Sequence, residues 1–221
     1  NSSATTKSTD TLKSEIITSL TNYNTNTLQK FDAIYRHSKV TGLIDDVDNS
    51  ILSNITTVKI RKSFSPTLLS STKYDVYFRN ALFNPHSGHN MASGGILSST
   101  GFKIDGNDNE MFLDDDGSGN VRLYQLTSGI RTYINSTQGT IDYATGQITL
   151  NSLNVASISN IRGATSTVIE LTVTPDSNDV VPVRDQIIEI DISNSSVSVV
   201  SDTFVGGSAD AGVGYTTSSS Y

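Results

Sequence analysis

The stretch "GTIDYATGQITL", residues 139–150, has the pattern of a strand, a short turn and a second strand. Apolar side chains recur at every second position on both sides of the turn: Ile141 and Tyr143, then Ile148 and Leu150. Residues 144–146 connect the strands, and three-residue loops of this kind usually end on a residue with positive φ. Gly146 adopts that conformation without a Cβ clash, so another residue there should cost roughly 1 kcal/mol. The hairpin is predicted to build core.

The same two-residue period runs through most of the chain after Lys73. The segments "KYDVYFRNALF", "STVIELTVTP", "DQIIEIDI" and "SSVSVVSD" all alternate in this way. Roughly eight strand-like runs at this spacing are typical of a sandwich or barrel. We therefore predict an antiparallel β-rich domain over residues 73–200.

The N-terminal region, residues 1–66, has a mixed pattern. Leu12, Ile16 and Leu20 recur at helical spacing, and Thr9 or Asp10 is placed to cap the helix. A strand or extended segment is expected over 27–38, a short helix after an N-cap at Ser38, and a strand over 55–64. These elements predict a small α/β unit, so the fold class expected for the whole chain is α+β, mostly β.

The C-terminal stretch, residues 201–221, is rich in Gly, Ser and Thr and is predicted to form an extended tail. Its only large aromatic side chains are Phe204, Tyr215 and Tyr221. Isolated aromatic residues on a tail are suitable anchors for docking on a neighbouring protein. The alternative is a chain end with no binding role. The helix bearing Leu12, Ile16 and Leu20 is a second interface candidate, and its alternative is burial against its own sheet.

Composition narrows the possible partners. The chain of 221 residues has no Cys and a net charge of −7, which excludes disulfides and disfavours nucleic acid as a partner. No apolar run approaches the ~20 residues of a membrane span, and no signal peptide is evident. The chain begins at Asn1, so we expect it to be processed or a piece of a longer polypeptide.

Two segments are candidates for ligand chemistry. "DDDGSGN" places Asp114, Asp116 and Asn120 where their oxygens could wrap a Ca²⁺ ion, but Asp-Gly is also a favoured hairpin turn. The turn is the preferred interpretation and calcium the weaker one. His86 and His89 are too few for a catalytic metal site, which needs three protein ligands. We find no nucleophile motif or phosphate loop, and expect no cofactor, no catalytic residue and no enzymatic activity.

Several longer runs together resemble a known family. They are "KFDAIYRHSKVTGLID", "SILSNITTVKIRKSF", "KYDVYFRNALFNPH", "GTIDYATGQITLNSLN" and "NDVVPVRDQIIEID". These runs resemble the C-terminal portion of the T-even-type myophage baseplate wedge subunit, with cyanophage versions most similar. The N-terminal portion also resembles the broader baseplate J-like group. The resemblance extends over roughly residues 10–200, and full-length family members are longer at the N-terminus.

The resemblance implies a structural, non-enzymatic role in the tail baseplate of a virion, assembled in the host cytoplasm. Two copies of the subunit form a homodimer that binds other baseplate wedge proteins. Contacts between copies close an inner ring, which rearranges when the sheath contracts. It implies neither a nucleic-acid nor a membrane partner.

An alternative function from another class is also open. A β-sandwich domain of this size is a frequent receptor- or carbohydrate-binding module of a tail fibre or adhesin. An exposed aromatic platform, or Ca²⁺ held by Asp114 and Asp116, would favour that alternative. Oligomeric state separates the two, because a dimer formed without glycan or metal favours the baseplate function.

Overall fold

The computed structural model describes residues 5–183 and 186–200. These residues form two compact units. The first unit contains residues 5–29, 38–55 and 189–200, and the second contains residues 30–37 and 56–188 apart from the undescribed pair 184–185. The tail residues Phe204, Tyr215 and Tyr221 lie outside the described residues.

The first helix, α1 (Thr9–Tyr23), begins one residue earlier than a cap at Thr9 would allow. Ser8 is the N-cap: its backbone is extended, and its Oγ accepts a hydrogen bond from Thr11 N at 3.1 Å. The Ser8 carbonyl accepts the first helical hydrogen bond, from Leu12 N. The predicted caps at Thr9 and Asp10 are therefore wrong. A π-helical turn, Asn24–Leu28, extends the helix.

The second helix, α2 (His37–Asp45), also begins before its predicted cap at Ser38. The backbone N–H of His37 donates to Asp179 Oδ1 at 2.8 Å, so a distant carboxylate satisfies this first donor. Within residues 27–38 the described backbone makes a single β-bridge, from Tyr35 to Val180. A strand is therefore the wrong prediction for this segment.

The described residues 186–200 contain no strand, so the strands predicted from "DQIIEIDI" and "SSVSVVSD" are wrong there. The Ile190 N–H donates to the side chain of Asn24 at 2.7 Å, and Glu189 accepts a hydrogen bond from Gln29. Alternating apolar residues favour a strand only where a neighbouring strand offers a ladder of hydrogen bonds, and this segment uses side chains of the helical unit instead.

The second unit contains ten strands among its described residues. Their bounds are β1 (Ile60–Phe64), β2 (Thr72–Tyr77), β3 (Ser98–Ser99), β4 (Phe102–Ile104), β5 (Asn107–Asp115), β6 (Asn120–Thr127), β7 (Ile130–Asp142), β8 (Gln147–Leu153), β9 (Val155–Ile158) and β10 (Ile169–Val173). Seven of them form one sheet in the order β2-β8-β7-β6-β5-β4-β9, and the other three form a sheet in the order β1-β10-β3. All pairings between these strands are antiparallel.

This architecture confirms the expected fold class, which is α+β and mostly β, with helices near the N-terminus. Both sheets contribute to one apolar core. Its fully buried members include Phe102, Met111, Leu113, Ile148, Leu150, Ile169 and Leu171. Burial of side chains from both sheets is what holds the second unit together, at roughly 1.5–3 kcal/mol for each large side chain.

The hairpin between β7 and β8 has four loop residues rather than three, because Asp142 pairs with Gln147. Gly146 has a φ of +69°, as predicted, and its carbonyl accepts a hydrogen bond from Phe78 N at 2.8 Å. A Cβ at this position would overlap with the carbonyl oxygen of Asn80. The cost of replacing Gly146 should therefore exceed the roughly 1 kcal/mol expected from φ alone.

Candidate functional site

Three consecutive aspartates lie at the turn between β5 and β6, and each has a different environment. Asp114 is buried, and its Oδ1 accepts a hydrogen bond from Arg122 Nε at 2.8 Å. Its Oδ2 accepts a hydrogen bond from the Tyr133 hydroxyl at 3.0 Å, and Arg131 Nε is 3.6 Å from the same oxygen. Burial raises the pKa of Asp114, and the nearby arginines and Tyr133 oppose that rise.

The guanidinium of Arg122 connects this pair to the backbone. Its NH2 group donates to the carbonyl oxygens of Asp115 at 2.8 Å and Met91 at 3.1 Å. The same guanidinium lies over the Tyr133 ring, 4.2 Å from its centroid. A buried ion pair is better tolerated when its partners make further hydrogen bonds, and Arg122 makes two of them to these backbone carbonyls.

Asp115 is fully buried, and its carboxylate accepts four hydrogen bonds. Its Oδ1 accepts from the backbone N–H groups of Ile96 and Leu97, both at 2.7 Å. Its Oδ2 accepts from Gly117 N at 3.1 Å and from the Tyr143 hydroxyl at 2.7 Å. Burial, together with the hydrogen bond to Asp115, raises the pKa of Tyr143. This carboxylate therefore joins three segments that are distant in the sequence.

Asp116 holds the turn itself. Its Oδ1 accepts hydrogen bonds from Ser118 N at 2.7 Å and Asn120 N at 3.0 Å, and its Oδ2 accepts from the Asn120 side chain at 2.6 Å. Burial alone would raise the pKa of Asp116, but these hydrogen bonds hold it below its usual value. Asp116 is thus held by uncharged groups of its own turn, whereas Asp114 is paired with the charged side chain of Arg122.

The hydrogen bonds of Asp116 to Ser118 and Asn120 are those of a hairpin turn, which was the preferred interpretation of "DDDGSGN". In the described residues, no group of three or more His, Asp or Glu side chains is placed to hold a metal ion. The calcium hypothesis for Asp114, Asp116 and Asn120 stays a prediction that needs a binding experiment.

The loop between β2 and β3 lies against this turn. Gly88 N donates to the carbonyl of Gly117 at 3.0 Å, and the hydroxyls of Ser87 and Ser118 are 3.1 Å apart. Gly95 has a φ of +64°, and a Cβ on it would overlap with the carboxylate of Asp115. Asp115 thus holds the end of this long polar loop on the sheet, and Arg122, which is paired with Asp114, holds Met91 of the same loop. The loop brings no further carboxylate to the cluster.

The two histidines of this loop form a contact with each other. His89 Nδ1 lies 3.3 Å from His86 Nε2, and the His89 ring packs edge-on against Phe83. The Nδ1 of His86 is 3.1 Å from the Ser87 carbonyl, which can only accept a hydrogen bond. His86 Nδ1 is therefore the donor in that contact.

The helical interface candidates Leu12, Ile16 and Leu20 are all buried in the first unit. The alternative weighed for them was burial against their own sheet, but the described residues of the first unit contain no strand. Their role as a contact with another protein stays a prediction.

Sequence reasoning missed Asp115, Arg122 and Tyr143, although a signal was present. Met111, Leu113 and Asp115 occupy every second position of β5, which places the carboxylate on the same face as two core side chains. A charged group on a core face must be hydrogen-bonded or paired. A search for such a charge would therefore have identified Asp115 as a buried anchor.

Exposed apolar side chains at the tip of the β6–β7 hairpin were also missed. Ile130 is 72% exposed, and Leu126 and Ile134 are about half exposed. The turn residues Ser128 and Gly129 both have positive φ, which suits a tight two-residue hairpin loop.

Of the helices in the described residues, none combines the length and the apolar character needed to cross a membrane.

Comparison with known proteins adds one family. Residues 1–63 match the protein family described as baseplate structural protein gp6, C-terminal domain III. No curated protein matches the chain. The matched residues include α1 and α2 and extend into β1. Through this N-terminal segment the chain is similar to a baseplate structural protein, and the similarity supports a structural role in the tail baseplate of a phage virion, in contact with other baseplate proteins.

Proposed function

We propose that the chain is a non-enzymatic wedge component of a contractile-tail myophage baseplate. In this proposal, copies of the chain associate with one another, as homodimers, into the inner ring of the baseplate. They also bind other wedge proteins and rearrange when the sheath contracts. The observation that carries the proposal is the family match over residues 1–63.

The chemistry of the acidic turn is consistent with this function. Each of its three aspartates accepts hydrogen bonds from groups of the protein: Asp115 and Asp116 from backbone N–H groups, and Asp114 from the side chain of Arg122. An active site instead needs ionisable groups that face a substrate, whereas these carboxylates already accept hydrogen bonds from groups of the protein. The role proposed for the second unit is therefore that of a rigid body whose surfaces make the contacts.

Charge and composition limit the partners that we propose. A net charge of −7 disfavours nucleic acid and anionic lipid surfaces, because both carry negative charge. A chain without Cys is suited to the reducing host cytoplasm, where we propose that assembly takes place. The partners of the proposal are thus further copies of the chain and other wedge proteins.

Electron microscopy of labelled virions tests the location. A gold-conjugated antibody against the chain is applied to intact virions and to virions with contracted tails. The proposal expects label at the baseplate in both states, with a changed distance of the gold from the tail axis after contraction. Label confined to the tips of tail fibres would contradict it and would favour the receptor-binding alternative.

Solution measurements separate the same two functions independently. Light scattering coupled to size-exclusion chromatography should report a mass above that of the monomer in the absence of glycan and metal. A monomer whose melting temperature rises on addition of Ca²⁺ would instead support the receptor- or carbohydrate-binding module. An Asp116→Ala variant is the matched control, because it removes both side-chain oxygens of one candidate calcium ligand.

A further inference from the structure

The strand β2 lies at the edge of the seven-stranded sheet. It pairs with β8 on one side, and among the described residues no strand pairs with its other side. Phe78 N donates to the Gly146 carbonyl, and the same register pairs Val76 with Ile148. The register shift between Thr72 and Tyr74 places the extra residue on β8, so the backbone of β2 keeps its alternation. Lys73, Asp75 and Tyr77 therefore direct their N–H and C=O groups toward the open edge.

The side chains on this edge carry both signs of charge. Lys73 and Asp75 form an ion pair of 3.2 Å, with side-chain exposures of 61% and 31%. Asp75 also accepts a hydrogen bond from Thr149 on β8 at 2.6 Å. Lys residues, Pro residues or bulges usually protect an edge strand from pairing with another chain. Here the Lys is accompanied by an Asp two positions away on the same face, so a strand with the opposite order of charges would be attracted.

A second copy of β2, running antiparallel, has that order of charges. We propose that two copies of this chain pair through their β2 edges about a two-fold axis at Tyr74. In this register Lys73 of each copy lies opposite Asp75 of the other, and both residues are among those whose backbone groups face the edge. Opposite charges directly across an antiparallel pair are stabilising.

Neighbouring registers lack this complementarity. If the two-fold axis passes through Asp75, the Asp75 carboxylates of the two copies lie opposite each other. If it passes through Lys73, the two Lys73 ammonium groups lie opposite each other. Like charges directly opposite are destabilising. Among the registers centred on Lys73, Tyr74 and Asp75, the charge pattern therefore favours the one centred on Tyr74.

The opposite face of the strand is also compatible with the pairing. The Tyr74 ring is half-buried and packs against Phe64, with ring centroids 4.9 Å apart. Its hydroxyl accepts a hydrogen bond from Thr67 N at 2.9 Å, so the side chain is already fixed before a partner arrives. At the two-fold axis each Tyr74 would face its counterpart, and aromatic pairs across strands add to stability.

This inference rests on the proposed function, because it names a surface for the proposed self-association. One pair of six-residue edges buries far less than the ~1,000 Å² of a stable interface. This edge contact therefore supplies only part of the proposed self-association, and further contacts between the copies supply the rest.

Cysteine cross-linking of the full chain tests the register, since the natural chain has no Cys. Lys73→Cys and Asp75→Cys variants are mixed at high concentration under mild oxidation. A hydrogen-bonded antiparallel pair places Cα atoms about 5.5 Å apart, which suits a disulfide. The pairing predicts several-fold more covalent dimer in the mixture than in either variant alone. A Ser63→Cys variant, exposed on the edge strand β1, reports random collisions.

The outcomes separate cleanly. Cross-linking in the mixture that does not exceed that of Ser63→Cys overturns the pairing, and preferential cross-linking of Asp75→Cys alone overturns the register. Melting temperatures of all variants establish that each is folded. As a second readout, Asp75→Lys should weaken sedimentation-detected association by roughly tenfold, and the exchanged pair Lys73→Asp with Asp75→Lys should restore it.

Failure of this inference differs from failure of the proposed function. Absent cross-linking together with gold label at the baseplate leaves the function standing and removes the β2 contact. Register-specific cross-linking together with label at fibre tips keeps the contact and removes the baseplate function. Occupation of the edge by a strand of a different protein would appear as protection of the β2 amides from exchange only in that protein's presence, and this result also overturns the self-pairing.

Discussion

The turns β5–β6 and β7–β8 both depend on an aspartate, but the two carboxylates act over different distances. Asp142 is exposed and accepts hydrogen bonds from Ala144 and Thr145 within its own turn. Asp115 is buried and accepts hydrogen bonds from Ile96 and Leu97, which come from another part of the chain. The same side chain closes a local turn in one place and fixes a distant loop in the other, so burial and the origin of the donors decide its importance.

Removal of these two carboxylates should have very different effects. In Asp115→Ala, the buried N–H groups and the Tyr143 hydroxyl lose their acceptor, and each unsatisfied buried donor costs about 1–3 kcal/mol. We expect a loss of about 3–5 kcal/mol in the free energy of unfolding, measured by urea denaturation. Asp142→Ala is the control and should lose much less, because water can reach its donors. Equal losses in the two variants would contradict the distinction.

The glycines of the hairpin turns offer a second, smaller contrast. Gly146 has a positive φ and a Cβ there would overlap with the Asn80 carbonyl, whereas Gly129 has a φ of +81° and open space around it. Gly146→Ala should therefore lose about 2–4 kcal/mol of unfolding free energy, and Gly129→Ala about 1 kcal/mol. Thermal and urea unfolding of the two variants measure the difference. A Gly146→Ala loss no larger than that of Gly129→Ala would show that the segment around Asn80 moves away at little cost.

The smallest effect concerns protonation. Hydrogen bonds from Thr145 lower the pKa of Asp142, whereas burial raises the pKa of Asp114. Asp142 thus contributes stability that is present above its ordinary pKa of 3.8 and is lost as the pH falls through its lowered value. For Asp114 the sign is opposite: its contribution is present below that ordinary value and is lost as the pH rises through the raised pKa.

Carbon-detected NMR of the two carboxyl groups checks this contrast directly. The Asp142 signal should titrate at a lower pH than an unperturbed aspartate and the Asp114 signal at a higher pH. Asp142→Asn should flatten the acid side of the stability curve. Titration of both groups at the same pH would show that the burial of Asp114 is fully offset by Arg122.

The parts of the fold that sequence reasoning predicted correctly are those set by nearby residues. The β7–β8 hairpin follows from the alternation around Gly146, and the helix α1 follows from the spacing of Leu12, Ile16 and Leu20. The expected position of the first helix cap was wrong by one or two residues, because Ser, Thr and Asp are all good caps and three of them occur in succession. Local sequence patterns thus predicted the presence and type of an element more reliably than the residue at which it begins.

The parts that were predicted wrongly or missed depend on distant partners. The alternation in "DQIIEIDI" is as regular as that of β10, but within the described part of the chain no strand pairs with residues 186–192, so no ladder forms there. The role of Asp115 was missed because its donors at Ile96 and Leu97 lie almost twenty residues earlier, in a loop whose path no periodic pattern indicates. The interface surfaces are less predictable still, since the properties of an edge such as β2 depend on the order of strands in the sheet.

Hydrogen exchange tests most directly whether one buried carboxylate holds the β2–β3 loop against the sheet. Exchange rates of the Ile96 and Leu97 amides, and of the loop residues 84–95, are measured in Asp115→Ala and Asp142→Ala under conditions where both are folded. We predict faster exchange throughout this loop in Asp115→Ala and rates like those of the natural protein in Asp142→Ala. Unchanged protection of Ile96 and Leu97 in Asp115→Ala would contradict the structural role assigned to Asp115.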